Sequence, residues 1–111
     1  MVPRYKTLPI DSRYEISEYG TIRYKATNRI RQNNISNRGY LMASFCINGK
    51  VKTYSVHRLV AMTFLRRPTV SNRNCVNHKD GNQLNNHYKN LEWLTQKENA
   101  QHWHKYLKAR K

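Results

Sequence analysis

Seven residues in the second half of the chain, Val76-Asn77-His78-Lys79-Asp80-Gly81-Asn82, gather a histidine, an aspartate, a glycine and two asparagines into one short stretch. Histidine titrates near neutral pH, so His78 is suited to accept a proton from water as a general base. Phosphodiester hydrolysis needs that proton removed as water attacks phosphorus. It also needs a metal ion or cationic clamp for the charge that develops there and on the leaving oxygen. A hard divalent cation such as Mg²⁺ takes oxygen ligands and keeps several waters. Asparagine amide oxygens can serve, though they bind less strongly than carboxylates. Asn77 stands beside the histidine, Asn90 follows at the start of the next apolar run, and Asn99 and His102 lie further on, three residues apart.

These residues need elements to hold them. Asn74-Cys75-Val76 before the stretch and Asn90-Leu91-Glu92-Trp93-Leu94 after it are short apolar runs, and the segment between them carries Asn82, Asn85 and Asn86. Asp80-Gly81 is strong turn chemistry, so the pattern reads strand, polar loop, strand. Asp80 is expected to tie that turn rather than bind metal. Thr95-Gln96-Lys97-Glu98 has the spacing of a capping box, which starts a helix near Gln96 that runs toward Leu107. Asn99 then sits in its first turn with His102 one turn on, on the same face. The basic tail at Lys105, Lys108, Arg110 and Lys111 suits the negative end of the helix dipole or DNA contact.

Upstream, Val56, Leu59, Val60, Thr63 and Phe64 follow i, i+3, i+4, i+7, i+8, one face of an amphipathic helix. It is expected to end at Arg66-Arg67-Pro68, where proline discourages continuation, with Pro68 to Arg73 as linker. His57 falls in its first turn, as packing or a phosphate contact. Before it, Leu41, Ala43, Phe45 and Ile47 alternate with Met42, Ser44, Cys46 and Asn48 until Asn48-Gly49 breaks the pattern, and Val51, Thr53 and Ser55 resume it. Asn-Gly between alternating runs marks a hairpin, because both residues tolerate the positive φ of a type I′ turn. Tyr14 to Tyr24, broken at Glu18-Tyr19-Gly20, reads as another hairpin. Thr27 to Arg38 is a basic connector with a weak strand signal at Ile30. The fold class is therefore α+β: an N-terminal antiparallel β-sheet region over residues 1–55, then a strand-and-helix core over 56–111.

Composition narrows the partner. The chain has 111 residues, enough for one small domain, and 38% of them are apolar, so the core is thin. A net charge of +15 on so short a chain favours a polyanion. No apolar run approaches the roughly 20 residues that cross a bilayer, and Met1-Val2-Pro3-Arg4-Tyr5-Lys6 is no signal peptide. A cytoplasmic protein with no membrane partner is expected. Cys46 and Cys75 form no CxxC pair, which argues for two reduced thiols and against a structural zinc site.

The sequence resembles the HNH endonucleases of the ββα-metal class, especially phage and intron-encoded homing nucleases. The resemblance rests on Val56-His57-Arg58-Leu59-Val60-Ala61, Val76 through Asn82, Asn85-Asn86, Asn90-Leu91-Glu92-Trp93 and Thr95 through Asn99. Tyr14-Glu15-Ile16-Ser17, Gly20 and Ile22-Arg23 also resemble the small DNA-binding module often fused ahead of such nucleases. The resemblance implies His78 as general base, Asn90 as the residue that orients its ring, and Asn99 as a metal ligand on the helix. Asn77 matches a position where aspartate or histidine often completes the metal site; being neutral here, it implies a weaker hold on the cation. His102 is a supplementary ligand candidate. One divalent ion, Mg²⁺ or Mn²⁺, and double-stranded DNA follow as cofactor and partner.

For DNA contact, Arg23, Lys25, Arg29 and Arg31 of the N-terminal region could reach a groove or phosphates. Arg38, Lys50 and Lys52 flank the second hairpin. Arg58, Arg66, Arg67 and Lys79 surround the expected active site as phosphate clamps. A single site attacks one strand, so a monomer nicks, and double-strand cleavage needs a homodimer or two events. The competing expectations are a catalytically weak HNH-like protein that binds DNA without cutting, supported by Asn77, and a small RNA-binding protein.

Overall fold

A computed structural model describes residues 3–66 and 74–109, apart from the side chains of 103–109. The expected Arg67 and the Pro68 to Arg73 linker lie outside the described residues. The first sheet is antiparallel with strands in sequence order: β1 (Tyr5–Thr7), β2 (Tyr14–Ser17), β3 (Ile22–Tyr24) and β4 (Ile30–Arg31). The β2–β3 pair is the hairpin read from the alternation of Tyr14, Ile16, Ile22 and Tyr24. β1 had no such signal, because Lys6 and Thr7 are exposed and the strand contributes little to the core. The Thr27 to Arg38 connector is not one element. It ends one sheet with β4 and opens the next with β5 (Asn34–Ile35).

β5 pairs with β6 (Leu41–Ile47), and β6 with β7 (Lys50–Ser55), in a second antiparallel sheet. Its tight turn has φ of 53° at Asn48 and 77° at Gly49, as an Asn-Gly hairpin demands. Ala43 and Phe45 point inward while Ser44 and Cys46 point out. β7 runs straight into helix α1 (Val56–Phe64), which buries Val56, Leu59, Val60 and Ala61. α1 stops earlier than the proline suggested: Leu65 already has extended backbone, its N–H bonded to the Ala61 carbonyl. Thr63, expected on the apolar stripe, turns its hydroxyl back to donate to the Leu59 carbonyl at 2.7 Å.

β8 (Cys75–His78) and β9 (Leu91–Leu94) form a two-stranded antiparallel hairpin, and α2 (Gln96–Ala109) follows. The capping box is complete: Glu98 N–H donates to Thr95 Oγ1 at 3.1 Å and Thr95 N–H to Glu98 Oε1 at 3.0 Å. Helix α1 packs against β2, β6, β7, β8 and β9, which makes it the hub of the molecule. One apolar interior runs from Leu8, Ile16 and Ile22 through Phe45 to Val56, Leu59, Val60 and Leu91, crossing the 55/56 division. Gly20 seals the contact between the first sheet and the hub. Its φ is +94°, and a Cβ there would lie 2.8 Å from Val56 Cγ1. Among the described residues, no helix is long and apolar enough to cross a membrane.

Candidate active site

The β8–β9 hairpin has two unlike faces, because successive strand residues point to opposite sides. Val76, His78, Leu91 and Trp93 share the face turned to α1, where Leu91 belongs to the apolar interior and Val76 packs against it. Asn77 and Glu92, register partners across the ladder, share the other face. Asn77 is only 1% exposed there. Helix α2 packs against both strands, and its half-buried positions Glu98, Asn99 and His102 form the stripe that covers the hairpin, while Gln96, Lys97, Ala100 and Gln101 are exposed.

His78 ends β8 and is 2% exposed. Its Nε2 lies 2.8 Å from Asn86 Oδ1 in a buried hydrogen bond. An amide oxygen at that place pairs with a protonated Nε2, the tautomer that leaves the lone pair on Nδ1. Burial lowers the pKa of His78, against the opposing pull of the Asn86 bond and the Asp80 charge. The imidazole is thus neutral near pH 7, the state able to take a proton.

The residue orienting the ring is Asn86, not Asn90 as expected. Asn90 instead ties the loop: its Nδ2 donates to Asp80 Oδ1 and to the Asn85 carbonyl, each at 2.9 Å, and its Oδ1 accepts from the Asp80 N–H at 3.1 Å. The physical reason is position. A short 3₁₀ turn, Tyr88–Asn90, delivers Asn90 to the base of the loop, while Asn86 is 4% exposed and packed inward. Asp80 does tie the turn, accepting also from the Asn82 N–H at 2.8 Å and from Asn85 Nδ2 at 2.9 Å. Burial raises its pKa, but these bonds and His78 outweigh it and leave the carboxyl below its ordinary value.

His57 belongs to this site, which its sequence position in a helical first turn did not reveal. Its ring centroid lies 4.7 Å from that of His78 and 5.2 Å from that of Tyr40. Its Nδ1 is buried with no hydrogen-bond partner among the described residues. Burial above all, then the proximity of His78 and Arg58, lowers its pKa to about 3. It is a neutral wall beside His78.

On the α2 side, three buried polar atoms have no hydrogen-bond partner among the described residues: Asn77 Oδ1, Asn99 Oδ1 and His102 Nε2. Such atoms are costly unless something donates to them or coordinates them. Their chemistry fits a divalent cation that accepts oxygen and imidazole ligands. Among the described residues, no group of three or more His, Cys, Asp or Glu side chains gathers into a metal cage; this donor set is amide-rich instead.

The basic residues divide. Lys25, Arg29, Lys52, Arg66 and Lys79 are exposed, as are Arg38 and Lys50. Arg23, Arg31 and Arg58, expected at DNA, are engaged within the protein. Arg23 Nε donates to Glu15 Oε1 at 3.1 Å and its guanidinium lies 3.5 Å from the Tyr5 ring centroid. Arg31 donates to the Ser44 carbonyl at 2.6 Å beneath the Tyr14 and Phe45 rings. Arg58 donates to the Asn74 carbonyl at 2.7 Å and lies 5.5 Å from the Trp93 ring. The cause in each case is a neighbouring acceptor and an aromatic face, which draw the planar cation inward.

Residues 54–101, which include α1, the hairpin and the start of α2, match the family model described as HNH endonuclease. The chain is 43% identical over 102 residues to an uncharacterized HNH endonuclease of Acanthamoeba polyphaga mimivirus, covering 92% of this chain and 30% of that protein. It is 42% identical over 88 residues to the SPbeta prophage-derived putative HNH homing endonuclease YosQ of Bacillus subtilis (strain 168), covering 78% of this chain and 50% of the relative. A solved structure described as DNA binding and cleavage by the HNH homing endonuclease I-HmuI superposes with a TM-score of 0.79 at 32% identity, over 93% of this chain and 59% of that one. The chain spans from about a third to a half of the length of these two curated relatives. Residues 54–101 are therefore an HNH endonuclease domain, set in a chain whose fold is shared with a solved HNH homing endonuclease.

Proposed function

We propose that the chain is the nuclease part of a metal-dependent DNA endonuclease that hydrolyses one phosphodiester bond at a time. The observation that carries this reading is the buried His78 at the end of β8 with its Nε2 2.8 Å from Asn86 Oδ1. In this account His78 takes the proton from the attacking water. Asn86 keeps the ring in the required tautomer, and Asn90 with Asp80 holds the loop that carries Asn86. Asn77, Asn99 and His102 hold one Mg²⁺ or Mn²⁺, which when bound stabilises the charge on the scissile phosphate and the leaving oxygen. Asn77 and His78 are consecutive at the end of β8, with Cα atoms about 3.8 Å apart, but their side chains leave on opposite faces, so a scissile phosphate would meet both only around the strand's end. Residues 1–55 serve as a DNA-binding region and 56–111 as the catalytic core. The exposed cations, Lys25, Arg29, Lys52, Arg66 and Lys79, together with Arg67, contact phosphates. The chain acts in the cytoplasm of a host cell as a monomer or homodimer.

The neutral ligand set favours one rival: a protein that binds DNA and cuts it weakly or not at all. Supercoiled plasmid incubated with the protein and Mg²⁺ or Mn²⁺ separates the two. The nuclease reading expects nicked circles with the wild-type chain, none with chelator and none with His78→Ala. DNA retardation without nicking by the wild-type chain overturns it in favour of the rival.

A further inference from the structure

Every candidate ligand in the proposed metal site is neutral, yet a carboxylate stands directly across the ladder from one of them. Glu92 Oε2 accepts a hydrogen bond from Asn77 Nδ2 at 3.1 Å, and the two residues are register partners on the face covered by α2. A primary amide has two ends, an NH₂ that can only donate and an oxygen that can only accept. An ionised carboxylate has no hydrogen to donate, so it can engage only the NH₂ end. Once that end is taken, the Asn77 oxygen must point the other way, and Asn77 Oδ1 is the buried acceptor left without a partner.

We propose that Glu92 is a positioning residue for the metal site: it fixes the sense of the Asn77 amide so that the oxygen faces the cation, and it supplies the negative charge the ligands lack. This rests on the metal-dependent nuclease reading above. The charge acts at short range in a partly buried place, where screening is weaker than on the surface. A glutamine at 92 could not do the same. Two facing amides can pair in either sense, so the dictation is lost together with the charge.

The pair also makes a prediction about exchange. An aspartate in place of Asn77 needs no orienting, since both its oxygens coordinate, but opposite Glu92 it meets a like charge across the strands, which is destabilising. Asn77→Asp therefore harms the protein alone and helps it when combined with Glu92→Gln. A purely structural Glu92, holding the ladder by one hydrogen bond, predicts no loss of Mn²⁺ affinity in folded Glu92→Gln; the double variant, which adds a carboxylate ligand, tests only the like-charge repulsion.

The test reads Mn²⁺ directly. Free Mn²⁺ is followed by electron paramagnetic resonance in titrations of the protein–duplex complex, all in the His78→Ala background so that the duplex survives. Glu92→Gln is expected to weaken Mn²⁺ binding by roughly 10- to 100-fold, the range for loss of a group that orients a ligand. Glu92→Asp, which keeps a donor-free carboxylate, loses much less, and Asn77→Asp with Glu92→Gln recovers the affinity. Circular dichroism confirms that each variant is folded; Glu92→Asp carries the test should Glu92→Gln fail to fold, by keeping Mn²⁺ affinity well above that of Asn77→Ala. An unchanged Mn²⁺ affinity in folded Glu92→Gln overturns the inference, as does a Glu92→Asp affinity no better than that of Asn77→Ala. Plasmid nicking by the chain with His78 intact tests the nuclease reading separately, so the two can fail independently.

Discussion

The arginines of the N-terminal sheets and the acceptors beneath α2 are both buried or half-buried polar groups, and the protein treats them in opposite ways. Arg23 finds Glu15 and the Tyr5 ring in its own sheet, and Arg31 finds the Ser44 carbonyl and the Phe45 ring in the neighbouring sheet, although its Nη1 is left unpartnered among the described residues. Asn77 Oδ1, Asn99 Oδ1 and His102 Nε2 have no hydrogen-bond partner among the described residues. The first arrangement is what stability asks for. The second lowers stability unless a ligand answers it, so it marks where this fold gives up self-sufficiency for chemistry. Charge alone did not distinguish the two regions; what does is that each arginine keeps at least one internal acceptor while the amide oxygens of Asn77 and Asn99 have none among the described residues.

The sharpest way to break this contrast is at His78. His78→Ala removes the proposed proton acceptor and leaves the α2 face intact. Nicking should fall by about 10²- to 10⁴-fold, the usual worth of a general base. Duplex affinity, read by gel retardation, should change by less than about twofold if the surface cations dominate binding. A His78→Ala protein that still nicks at the wild-type rate would place the chemistry elsewhere and dissolve the comparison.

Much of this architecture was legible because local rules suffice for it. The Asn48-Gly49 turn, the α1 stripe and the Thr95–Glu98 box each encode their element within a few residues, and all three formed. Short-range rules fail where a partner is distant in sequence. β1 exists because Tyr5–Thr7 meets Ser17–Glu15, and nothing in its own composition announces that. The same limit explains the site. The stretch around His78 advertises a base, but which of Asn85, Asn86 and Asn90 holds the ring depends on how the loop folds back over eight residues from His78 to Asn86. His57 reads as one more residue on a helix until α1 is laid against β8. Likewise, a string of basic residues cannot say that Arg31 will be drawn under Tyr14 and Phe45.

The N-terminal side of the comparison is tested by Arg31→Met, which keeps an apolar stem and removes the guanidinium. Ser44 loses its bond from Arg31, and the stacking on Phe45 weakens. A loss of about 1 kcal/mol in denaturant unfolding is expected, as for a partly solvated charged hydrogen bond with ring stacking, with DNA affinity nearly unchanged. The opposite outcome, full stability with weakened DNA binding, would move Arg31 to the DNA-reading group.

Acid titration probes the wall of the base. His57 has a folded-state pKa of about 3, below its ordinary value of 6.5, because burial disfavours the charged ring. Between those values the unfolded chain binds a proton that the folded chain does not. The stability this group contributes is therefore complete above pH 6.5 and is lost as pH falls toward 3. His78, also lowered by burial, acts in the same direction. Unfolding followed by circular dichroism should show a loss on the order of 1–2 kcal/mol between pH 7 and 5 from His57 alone. His57→Phe, which keeps an aromatic ring against Tyr40, should flatten that slope; an unchanged slope would mean His57 is protonated or solvated in the folded protein.

The smallest effect belongs to the surface cations. Lys79 is exposed, immediately follows the proposed base, and spends only its backbone N–H on the fold, donating to the Asn90 carbonyl at 2.8 Å. Its side chain is thus available to a phosphate where Arg58, turned toward Asn74 and Trp93, is largely committed. If about six phosphates are contacted, log K should fall against log salt with a slope near −5, each contact contributing about −0.9. Lys79→Ala should reduce that slope by about one contact while leaving thermal stability unchanged, since no side-chain interaction of the fold is removed. Arg58→Ala should do the reverse, lowering stability through the lost Asn74 bond more than it changes the slope. Equal slopes for the wild type and Lys79→Ala would mean that the most accessible cation beside the site does not touch DNA, and that the phosphate clamp must be sought among Arg29, Lys52 and Arg66.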